Sequence, residues 1–502
     1  VDNASALEEA EKIEAESGFY RFSKHIPVSL NLGNSGTWTE VPGGMLWRLK
    51  IRSVNALGTV LYYDKFTIPA GGYMHIYNED RTDKIGAFTV NNNPEGGKYA
   101  TGLIKGEAVI LEYFEPSDKI GKGEISLETV SHAFRGADLV ENERGSSQDC
   151  QVDINCPEGD NWRDQQRGIV RIIVQSFGGS GFCSGSLVNN TGEDCAPYVL
   201  SAFHCGTSSN TNHFNQYIFY FNYAFNGCGS GLISSGSITG CAKLADSGDG
   251  GGNNGSDFML MELNQLIPWN YNPYFNGWNA SGATPQSGVS IHHPSGDKMK
   301  ISTYTLNLVN TTWGGASGSH WRVIWAGTAN GHGVTEGGSS GSPIFDENGY
   351  IVGQLTGGSS YCNSVQPGGQ TSPDFYGKMS YNWSSNPGDN LEDFLDPAGT
   401  GDQTFDGSNL PCPNYTDVTD RILSEDLTIF PNPSDGQFTV EVSFIMDDLY
   451  MEIFDAAGKL VYEKDLAGYL RANIDLTDQK SGLYMVRVRS GNKVRTERII
   501  IR

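Results

Sequence analysis

The stretch Gly337-Gly338-Ser339-Ser340-Gly341-Ser342-Pro343 holds a serine in a glycine-rich turn directly before a proline. Such a turn exposes a hydroxyl, but a serine hydroxyl is a poor nucleophile at neutral pH unless a histidine base and a carboxylate activate it. Ser340 is therefore a candidate nucleophile that needs partners elsewhere in the chain. Taken alone, it is as easily an ordinary turn serine, because the chain contains 64 glycines and many Gly-Ser turns.

Two upstream segments offer those partners. His204 follows the apolar run from Tyr198 to Phe203, which predicts a buried strand that ends in a small-residue turn. Asp257 stands just before a second apolar run, Phe258 to Leu263. Singly, the histidine is explained as a core side chain and the aspartate as a turn cap. Together, three motifs at strand ends in the order His, Asp, Ser predict the catalytic triad of a two-barrel, chymotrypsin-like serine peptidase.

The serine turn also predicts an oxyanion hole. A turn that exposes the hydroxyl aims backbone N–H groups at the developing negative charge, and here these would be the amides of Gly338 and Ser340. Glycine at position 338 permits a backbone conformation that a Cβ would hinder.

No metal site is predicted. His320 and His332 lack a convincing metal-ligand partner at short spacing. The stretch from Asp246 to Asp257, rich in Gly and Asn, invites a calcium interpretation, but it lacks the spacing of a twelve-residue EF-hand loop. We therefore expect a flexible loop there.

A more specific resemblance extends from about Gly145 to Gly407. Its motifs are Cys150 to Asp160, Gly185 to Thr191, Ser256-Asp257-Phe258, Ile291 to Pro294, Gly333 to Glu336 and Leu395-Asp396-Pro397. These motifs resemble the bacterial lysyl endopeptidases, trypsin-fold enzymes that cut after lysine. The resemblance implies an all-β chain with a two-barrel, chymotrypsin-like domain that forms an acyl-enzyme on Ser340.

The specificity pocket is argued from chemistry and then from the family. In many trypsin-like enzymes the pocket acid lies six residues before the serine, but here that position is Val334, which cannot pair with a lysine ammonium. The segment from Thr371 to Gly377 resembles the one from which lysyl endopeptidases supply their pocket carboxylate, which implies Asp374. A desolvated carboxylate facing a cation gains a charge-assisted hydrogen bond and is costly to leave unpaired. Without the family, Asp374 is also explained as a turn residue after Pro373.

Two further positions are assigned to substrate binding through the resemblance. Trp313 matches a tryptophan that the family stacks beside its catalytic histidine; the alternative is a core aromatic residue. In the family a second histidine also stacks on that tryptophan, and Thr356 stands in its place here. The incomplete array puts the family's full rate and alkaline working range in question, but not the triad.

The nine cysteines, mostly in the central part, indicate an oxidising compartment, and an odd number leaves at least one unpaired within the monomer. Spacing alone does not give their connectivity. The resemblance implies the pairs Cys150–Cys362, Cys156–Cys228 and Cys183–Cys205. Cys195 and Cys241 are extra to the family pattern and are expected to pair with each other, which leaves Cys412 over in a linker.

Residues 1–144 contain no cysteine and are predicted to form a β-rich prosegment after a short acidic helix, Leu7 to Ser17. Strand-like runs such as Ala108 to Phe114 are separated by Gly-rich turns. The segment could cover the cleft of a zymogen and guide its folding; the alternative is a carbohydrate-binding or adhesive β-sandwich. We expect processing between Arg144 and Gly145, because a new amino terminus at Gly145 fits the mature start of the family.

The end of the chain is predicted to form a separate unit. We expect the peptidase domain over 145–408, a linker over 409–424 and a small β-sandwich over 425–502, where apolar and polar residues alternate. The Pro431-Asn432-Pro433 opening and the Gly-x-Tyr element at Gly482 resemble the carboxy-terminal sorting domain of the type IX secretion system. The resemblance implies that secretion machinery as a partner, and passage across the outer membrane to the surface or the medium. The alternative is a binding module.

Charge and hydropathy exclude other classes. The chain has 34 Lys and Arg against 58 Asp and Glu, and a net charge of −24 argues against nucleic acid and anionic membranes as partners. It has no run of about 20 apolar residues. The start at Val1 lacks a signal-peptide pattern, so we expect that a signal was removed. We expect about three domains, a monomer and no cofactor.

The sequence therefore predicts a secreted serine endopeptidase zymogen that cleaves proteins and peptides after lysine through His204, Asp257 and Ser340. Two alternatives stay open. One is a trypsin-like enzyme that accepts arginine as well, and the other is a catalytically inactive surface adhesin that keeps the peptidase fold. Reaction with a serine-directed phosphonylating reagent distinguishes the adhesin from both enzymes.

Overall fold

The structure is a computed structural model. It describes residues 1–94, 96–136, 147–231, 233, 235–251, 254–362, 371–385, 389–409, 427–442, 449–466, 471–490 and 493–502. The chain divides into two compact units, one made of Val1–Leu266 with Tyr274–Pro411 and the other of Ile267–Pro273 with Cys412–Arg502. In the described part of the chain, no helix is both long enough and apolar enough to cross a membrane.

The chain begins with the helix α1, Asn3–Ser17. The Asp2 side chain caps its first turn by accepting from the backbone N–H groups of Ala4 and Ser5. Gly18 ends the helix in the left-handed conformation, with φ 73°, and donates its N–H to the Glu14 carbonyl. This cap turns the chain sharply, so that the residues after Gly18 leave the helix as an extended segment.

Nine strands follow among the described residues of the amino-terminal part. They are β1 Ser23–Asn31, β2 Thr37–Val41, β3 Gly44–Arg52, β4 Gly58–Thr67, β5 Tyr73–Asn78, β6 Lys84–Phe88, β7 Tyr99–Lys105, β8 Ala108–Pro116 and β9 Glu124–Ala133. They form a four-stranded sheet in the order β1-β9-β4-β7 and a five-stranded sheet in the order β2-β3-β8-β5-β6. Apolar residues of both sheets, such as Trp47, Leu61, Leu111 and Leu127, share one core, which makes this part a β-sandwich.

The central part contains two larger sheets. Its strands are β10 Val152–Asp153, β11 Ile169–Ser176, β12 Gly179–Leu187, β13 Tyr198–Ala202, β14 Ile218–Phe221, β15 Gly236–Thr239, β16 Cys241–Asp246, β17 Phe258–Leu263, β18 Trp278–Asn279, β19 Gly288–His292, β20 Lys300–Tyr304, β21 Val309–Trp313, β22 Ala316–Val323, β23 Pro343–Phe345, β24 Ile351–Gly358, β25 Asp374–Lys378 and β26 Thr404–Phe405. Its short helices are α2 Thr211–Phe214, α3 Met379–Asn382 and α4 Glu392–Leu395.

The first central sheet has seven strands in the order β15-β14-β11-β12-β13-β17-β16. The second has ten, with the main path β10-β20-β19-β23-β24-β25-β22-β21, and β18 and β26 are attached to it. One apolar cluster joins the two sheets, with Leu200 and Leu260 from the first and Ile291 and Ile351 from the second. Because β11, β12 and β13 are almost entirely buried, they read in the sequence as continuous apolar or small-residue runs.

The second unit is also made of strands. They are β27 Leu427–Phe430, β28 Gln437–Val442, β29 Leu449–Asp455, β30 Leu460–Asp465, β31 Arg471–Asp475, β32 Gly482–Ser490 and β33 Lys493–Ile501. A three-stranded sheet, β27-β28-β31, and a four-stranded sheet, β30-β29-β32-β33, bury a common core that includes Val440, Ile453 and Val486. The predicted all-β chain with a carboxy-terminal β-sandwich is confirmed.

Three of the four expected disulfides are present. Cys150–Cys362, Cys156–Cys228 and Cys183–Cys205 are bonded as the resemblance implied. The expected fourth pair, Cys195 with Cys241, is wrong, because Cys241 is a free thiol and Cys195 is disulfide-bonded. Cys412, expected to be left over, lies outside the described residues.

The packing of Cys241 explains this correction. It opens strand β16 opposite Leu263, and its sulfur lies 3.6 Å from the Phe214 carbonyl and 3.7 Å from the Met261 sulfur. The thiol therefore points into the core, and burial raises its pKa well above the ordinary value. Cys195 lies instead in the turn before β13, with a left-handed backbone at φ 61°.

This packing predicts the reactivity of Cys241. Without any reductant, iodoacetamide should leave Cys241 unmodified in the folded protein and alkylate it once urea unfolds the chain, because a buried neutral thiol is inert. Peptide mapping by mass spectrometry measures this, and Cys183, as a disulfide-bonded control, should stay unmodified in both samples. Modification of Cys241 in the native protein would contradict the buried position.

Candidate active site

His204 is held at the end of strand β13. The strand ends at Ala202, and a single 3-10 turn, Phe203–Cys205, carries the imidazole away from the sheet. The disulfide from Cys205 to Cys183 ties this turn to β12. The side chain of His204 is only 5% exposed, so the fold fixes the imidazole inside the protein.

Asp257 meets His204 directly. It precedes strand β17 and has a left-handed backbone at φ 59°, an uncommon conformation for a residue with a Cβ. Its carboxylate accepts two hydrogen bonds from His204, one from the backbone N–H at 2.8 Å and one from Nδ1 at 2.7 Å. Its carbonyl accepts from the Phe203 N–H at 2.7 Å. With Nδ1 donating to this carboxylate, Nε2 of the neutral ring is the atom that can accept a proton.

The charges around this pair set its proton affinity. Burial alone would lower the pKa of His204, but the Asp257 carboxylate raises it, and Asp249 adds to this effect, so that the net shift is upward. Burial also raises the pKa of Asp257, and the hydrogen bonds from His204 counteract that shift. The two carboxylates therefore raise the pKa of His204 by more than its burial lowers it.

The serine turn lies next to this pair. The Ser340 carbonyl accepts from the Ser184 N–H at 2.8 Å, which fixes the turn to strand β12. Gly341 has φ 82° and packs so tightly that a Cβ there would lie 2.6 Å from the Ala202 nitrogen. The turn that carries Ser340 therefore packs against the backbone of Ala202, two residues before His204.

The predicted oxyanion donors are available. Gly338 has φ 94°, where a side chain would be strained, and its carbonyl accepts from the Ser184 hydroxyl at 3.0 Å. Within the part of the chain that the structure describes, the N–H groups of Gly338 and Ser340 donate to no protein acceptor. A backbone that leaves two N–H groups unused beside a serine can bind a negatively charged oxygen.

A buried histidine supports the turn from behind. Nδ1 of His292 lies 2.8 Å from the Ser339 hydroxyl, and its Nε2 lies 3.0 Å from the Ser302 hydroxyl. Burial lowers the pKa of His292 to about 3, so this ring is neutral. This neutral ring therefore holds Ser339, the neighbour of Ser340.

The amino-terminal segment covers the site. Nε2 of His204 is buried and has no hydrogen-bond partner among the described residues. Gly18 lies on this ring, close enough that a Cβ there would be 3.7 Å from Nε2. Glu14 and Tyr20 lie against Gly337, where a Cβ would overlap both side chains. The end of α1 and the first residues after it thus separate the His204 ring from solvent.

The same segment pairs with strand β12. The Phe182 N–H donates to the Tyr20 carbonyl at 3.0 Å, and the Phe22 N–H donates to the Ser180 carbonyl at 2.9 Å. This is antiparallel strand pairing centred on Arg21 and Gly181. The rings of Phe22 and Phe182 also stack with their centroids 4.0 Å apart. An extended peptide is therefore bound along the first half of β12, which β13 leaves free because it pairs only with Ser186 and Leu187.

Asp374 forms the base of a buried polar site at the start of strand β25. Its carboxylate accepts from Trp325 Nε1 at 2.6 Å, from the Thr335 hydroxyl at 2.8 Å, and from Ser360 through the hydroxyl at 2.5 Å and the N–H at 3.1 Å. Burial raises its pKa, and these hydrogen bonds oppose the shift. Among the described residues, no cationic side chain forms an ion pair with Asp374.

Two segments connect Asp374 with the serine turn. Thr335 lies five residues before Ser340 in the chain. Strand β24 exchanges hydrogen bonds with the turn through Leu355 and ends at Gly358, which is paired with Asp374. A Cβ at Gly358 would overlap the Asp374 carboxylate, so only glycine fits beside it. Val334, the position where many trypsin-like enzymes carry an acid, is completely buried in the apolar core.

Trp313 and Thr356 are brought together by a residue that the sequence did not assign to the site. The Trp313 ring lies 5.9 Å from that of His320 and 4.9 Å from that of Phe375. Nε2 of His320 lies 2.9 Å from the Thr356 hydroxyl. Burial lowers the pKa of His320 to about 4, which keeps it neutral. His320 on strand β22 therefore contacts both Trp313 and Thr356. Because His320 and Thr356 lie on different strands, the sequence alone gives no sign of this contact.

The predicted processing site lies outside the described residues, since Arg144 and Gly145 fall in the gap at 137–146. The chain is described again from Ser147, whose N–H and hydroxyl both donate to the buried carboxylate of Asp297. The next residue, Gln148, donates its N–H to Glu336 at 3.1 Å. The start of the central part is thus bound beside the serine turn.

Comparisons with known families agree with these observations. Residues 144–377 match the family described as "Lysyl endopeptidase, C-terminal domain". Residues 428–502 match the "Secretion system C-terminal sorting domain". A sorting domain of this kind indicates export across the outer membrane, to the cell surface or the medium. The resemblance inferred from the motifs is confirmed.

Individual relatives are more distant. The chain is 28% identical over 282 residues to the lysyl endopeptidase of Pseudomonas aeruginosa, and the match covers 53% of this chain and 58% of that protein. Among solved structures, a thermostable serine protease AL20 from an extremophilic microorganism has 16% identity and a TM-score of 0.33, covering 47% of this chain and 99% of that one. Protease Anisep from Arthrobacter nicotinovorans has 21% identity and a TM-score of 0.31, covering 42% and 90%.

The close packing at Gly358 predicts a position-specific effect on stability. Gly358→Ala should lower the free energy of unfolding by about 1–3 kcal/mol, because the added methyl displaces the Asp374 carboxylate or distorts the strand. Gly357→Ala is the matched control, since a Cβ there meets only Trp313, at 3.9 Å, and should change stability by about 0.5 kcal/mol or less. Urea unfolding followed by tryptophan fluorescence measures both. Equal stabilities of the two variants would contradict the packing.

Proposed function

We propose that this chain, whose central part resembles the lysyl endopeptidases, is the precursor of a secreted serine endopeptidase that hydrolyses peptide bonds on the carboxyl side of lysine. The observation that carries the proposal is the hydrogen bond from His204 to the buried Asp257, with the turn of Ser340 packed through Gly341 against Ala202, two residues before His204. A histidine oriented by an acid and lying beside a serine with two unused N–H groups can perform acyl transfer.

Each group then has a defined role. The Ser340 Oγ attacks the carbonyl carbon of the substrate while Nε2 of His204 takes its proton, and the N–H groups of Gly338 and Ser340 bind the oxyanion. Collapse of the tetrahedral intermediate expels the amine, which receives the proton from Nε2. A water molecule repeats the sequence on the acyl-enzyme and releases the acid. Asp257 stabilises the imidazolium in both halves and stays ionised.

Asp374 is proposed to select the lysine side chain. It is completely buried, its four hydrogen bonds come from neutral donors, and no cation among the described residues pairs with its negative charge. A lysine ammonium supplies the missing charge, whereas a neutral side chain would leave a desolvated carboxylate unpaired. Trp325 and Ser360 hold the carboxylate close from two sides, which favours a compact ammonium over the wider guanidinium. Acceptance of arginine remains the alternative.

The amino-terminal segment is proposed to keep the precursor inactive. Gly18 lies on the catalytic imidazole, and Tyr20 and Phe22 pair with the strand edge that a substrate would need. The segment is anchored by the ion pair of Arg135 with Glu14 at 2.8 Å, and the ring of Tyr20 lies under the Arg135 guanidinium. We propose that cleavage between Arg144 and Gly145 releases this cover. A strict lysyl enzyme would not cut after Arg144, so another peptidase is proposed to activate it.

The carboxy-terminal unit is proposed to address the chain to the type IX secretion machinery. The support is the match of residues 428–502 to a secretion system sorting domain. The unit contributes none of the residues assigned to catalysis. This fits a secretion signal, which functions before the enzyme acts on its substrates. The proposed domains are 1–144 as prosegment, 145–408 as peptidase, 409–424 as linker and 425–502 as sorting domain.

The nucleophile is tested by Ser340→Ala. We expect this variant of the processed enzyme to fold normally and to lose at least about 10⁴-fold in kcat/KM on a lysyl peptide, because the triad acts as a unit. Ser339→Ala is the matched control in the same turn; it should keep far more activity and still react with a phosphonylating reagent. Turnover of Ser340→Ala within tenfold of the parent would contradict the proposed function.

The cover is tested by the reactivity of Ser340 itself. The full chain should react with diisopropyl fluorophosphate at least about 100-fold more slowly than the same protein after cleavage at residue 144 and removal of the prosegment. Arg135→Ala should speed the reaction of the uncut chain, because it frees Glu14 and Tyr20. Arg48→Ala is the control: it removes an ion pair to Glu112 elsewhere in the segment and should leave the rate unchanged. Equal rates before and after cleavage would contradict an inhibitory cover.

A further inference from the structure

The loop between β16 and β17 inserts a second carboxylate under the catalytic pair. This loop was expected to be merely flexible, but Asp249 in it accepts the Asp257 N–H at 3.0 Å. Gly255 leaves room for this side chain, since a Cβ there would lie 2.8 Å from Asp249 Oδ2. The bond restrains Asp257 at its left-handed backbone, where a residue with a Cβ is disfavoured.

The other oxygen of Asp249 organises the loop that packs on His204. Oδ1 accepts from the Gly251 N–H at 3.1 Å and from the hydroxyl of Ser247. Gly251, with φ 100°, lies so close to His204 that a Cβ there would be 3.2 Å from the histidine Cα and Cβ. The Asp249 carboxylate therefore has two effects. It holds the backbone of Asp257, and it holds Gly251, which packs against His204.

The charged and titratable groups near the pair of His204 and Asp257 lie on several elements; they include His320 on β22, whose pKa burial lowers and Asp249 raises. Asp257 and Asp249 are the acids that raise the pKa of His204 against the effect of burial. On the neighbouring strand β16, Lys243 pairs with Asp246, so these two charges offset each other. On the amino-terminal helix, Glu14 pairs with Arg135. The Asp249 carboxylate thus adds a negative charge that no described cation neutralises through an ion pair.

We infer that Asp249 is a positioning residue of this active site, which holds Asp257 and the His204 turn in register and stabilises the protonated imidazole by its charge. The inference rests on the proposed peptidase function for its catalytic consequence, but not for its effect on His204. Asp249 touches no reacting atom. It acts through Asp257, by a hydrogen bond to the backbone, and through the electrostatic field at His204.

Asparagine removes the charge and keeps one of the two acceptor oxygens. In Asp249→Asn, the side-chain carbonyl can still accept the Asp257 N–H, while the NH2 group replaces the oxygen that accepts from Gly251 and Ser247. We therefore expect the titration midpoint of His204 to move to lower pH, while kcat on the plateau changes by about threefold or less. In Asp249→Ala both the charge and the hydrogen bond to the Asp257 N–H are lost. In addition to the shift of the titration midpoint, kcat should then fall roughly 10- to 100-fold, because the catalytic groups are misplaced.

The sign follows from the role of the base. Nε2 of His204 must be unprotonated to accept the serine proton, so kcat/KM falls as pH drops through the His204 pKa. Removal of a nearby negative charge lowers that pKa, which should move the acid limb of the pH–kcat/KM profile to lower pH. A purely structural role of Asp249 would lower the plateau and leave the limb in place.

The experiment is an NMR titration of the His204 imidazole in the ¹⁵N-histidine-labelled full chain, together with the pH profile of the processed enzyme. Asp389→Asn is the matched control, because Asp389 also accepts one backbone N–H, that of Asp246 at the end of β16, at 3.0 Å, but is not among the groups that shift the pKa of His204. We expect a shift in Asp249→Asn and none in Asp389→Asn. Asp249→Ser provides a second neutral variant should the asparagine variant fail to fold, and the same shift is expected.

An unmoved His204 titration in a folded neutral variant of Asp249 would overturn the inference, as would an equal shift in Asp389→Asn. These outcomes are distinct from failure of the proposed function. If the parent does not hydrolyse peptides, the peptidase assignment fails, whereas the titration of His204 in the full chain can still be measured and still tests the role of Asp249.

Discussion

The site depends on one buried hydrogen bond, that between Nδ1 of His204 and the carboxylate of Asp257 at 2.7 Å. Burial of a carboxylate costs free energy unless hydrogen-bond donors compensate for the lost water, and His204 supplies two such donors. The bond fixes which ring nitrogen is free, so that Nε2 is the atom left to accept a proton. The disulfide at Cys205, the strand ends and the packing of Gly341 all hold the partners of this bond in place.

A second buried acid gives the cleft its proposed selectivity. Asp374 is satisfied by neutral donors, which lower the cost of its burial but leave its charge uncompensated. The two acids are therefore used differently: Asp257 has a partner inside the protein, and Asp374 is proposed to find its partner in the substrate. The amino-terminal segment contacts the first of these sites, because Gly18 lies on the His204 ring.

Much of this could be predicted from the sequence, because the decisive residues follow recognisable local patterns. His204 and Asp257 stand at the ends of apolar runs, and Ser340 stands in a glycine turn. Other contacts have no local pattern. Trp325 meets Asp374 across 49 positions, and His320 meets Thr356 across 36, so only the strand pairing of the fold brings them together. The expected Cys195–Cys241 bond failed for the same reason, because the direction of the Cys241 side chain depends on the register of β16 against β17.

The most direct test of the central claim is to map the new ends that the processed enzyme produces in a reduced, denatured protein rich in both lysine and arginine. Mass spectrometry of the peptides identifies the residue before every cut. The account predicts carboxy-terminal lysine at nearly all cleavage sites, with bonds after arginine left intact. Equal cutting after both residues would contradict selection of lysine by Asp374, and the absence of any cutting would contradict the assignment of His204, Asp257 and Ser340 as a catalytic triad.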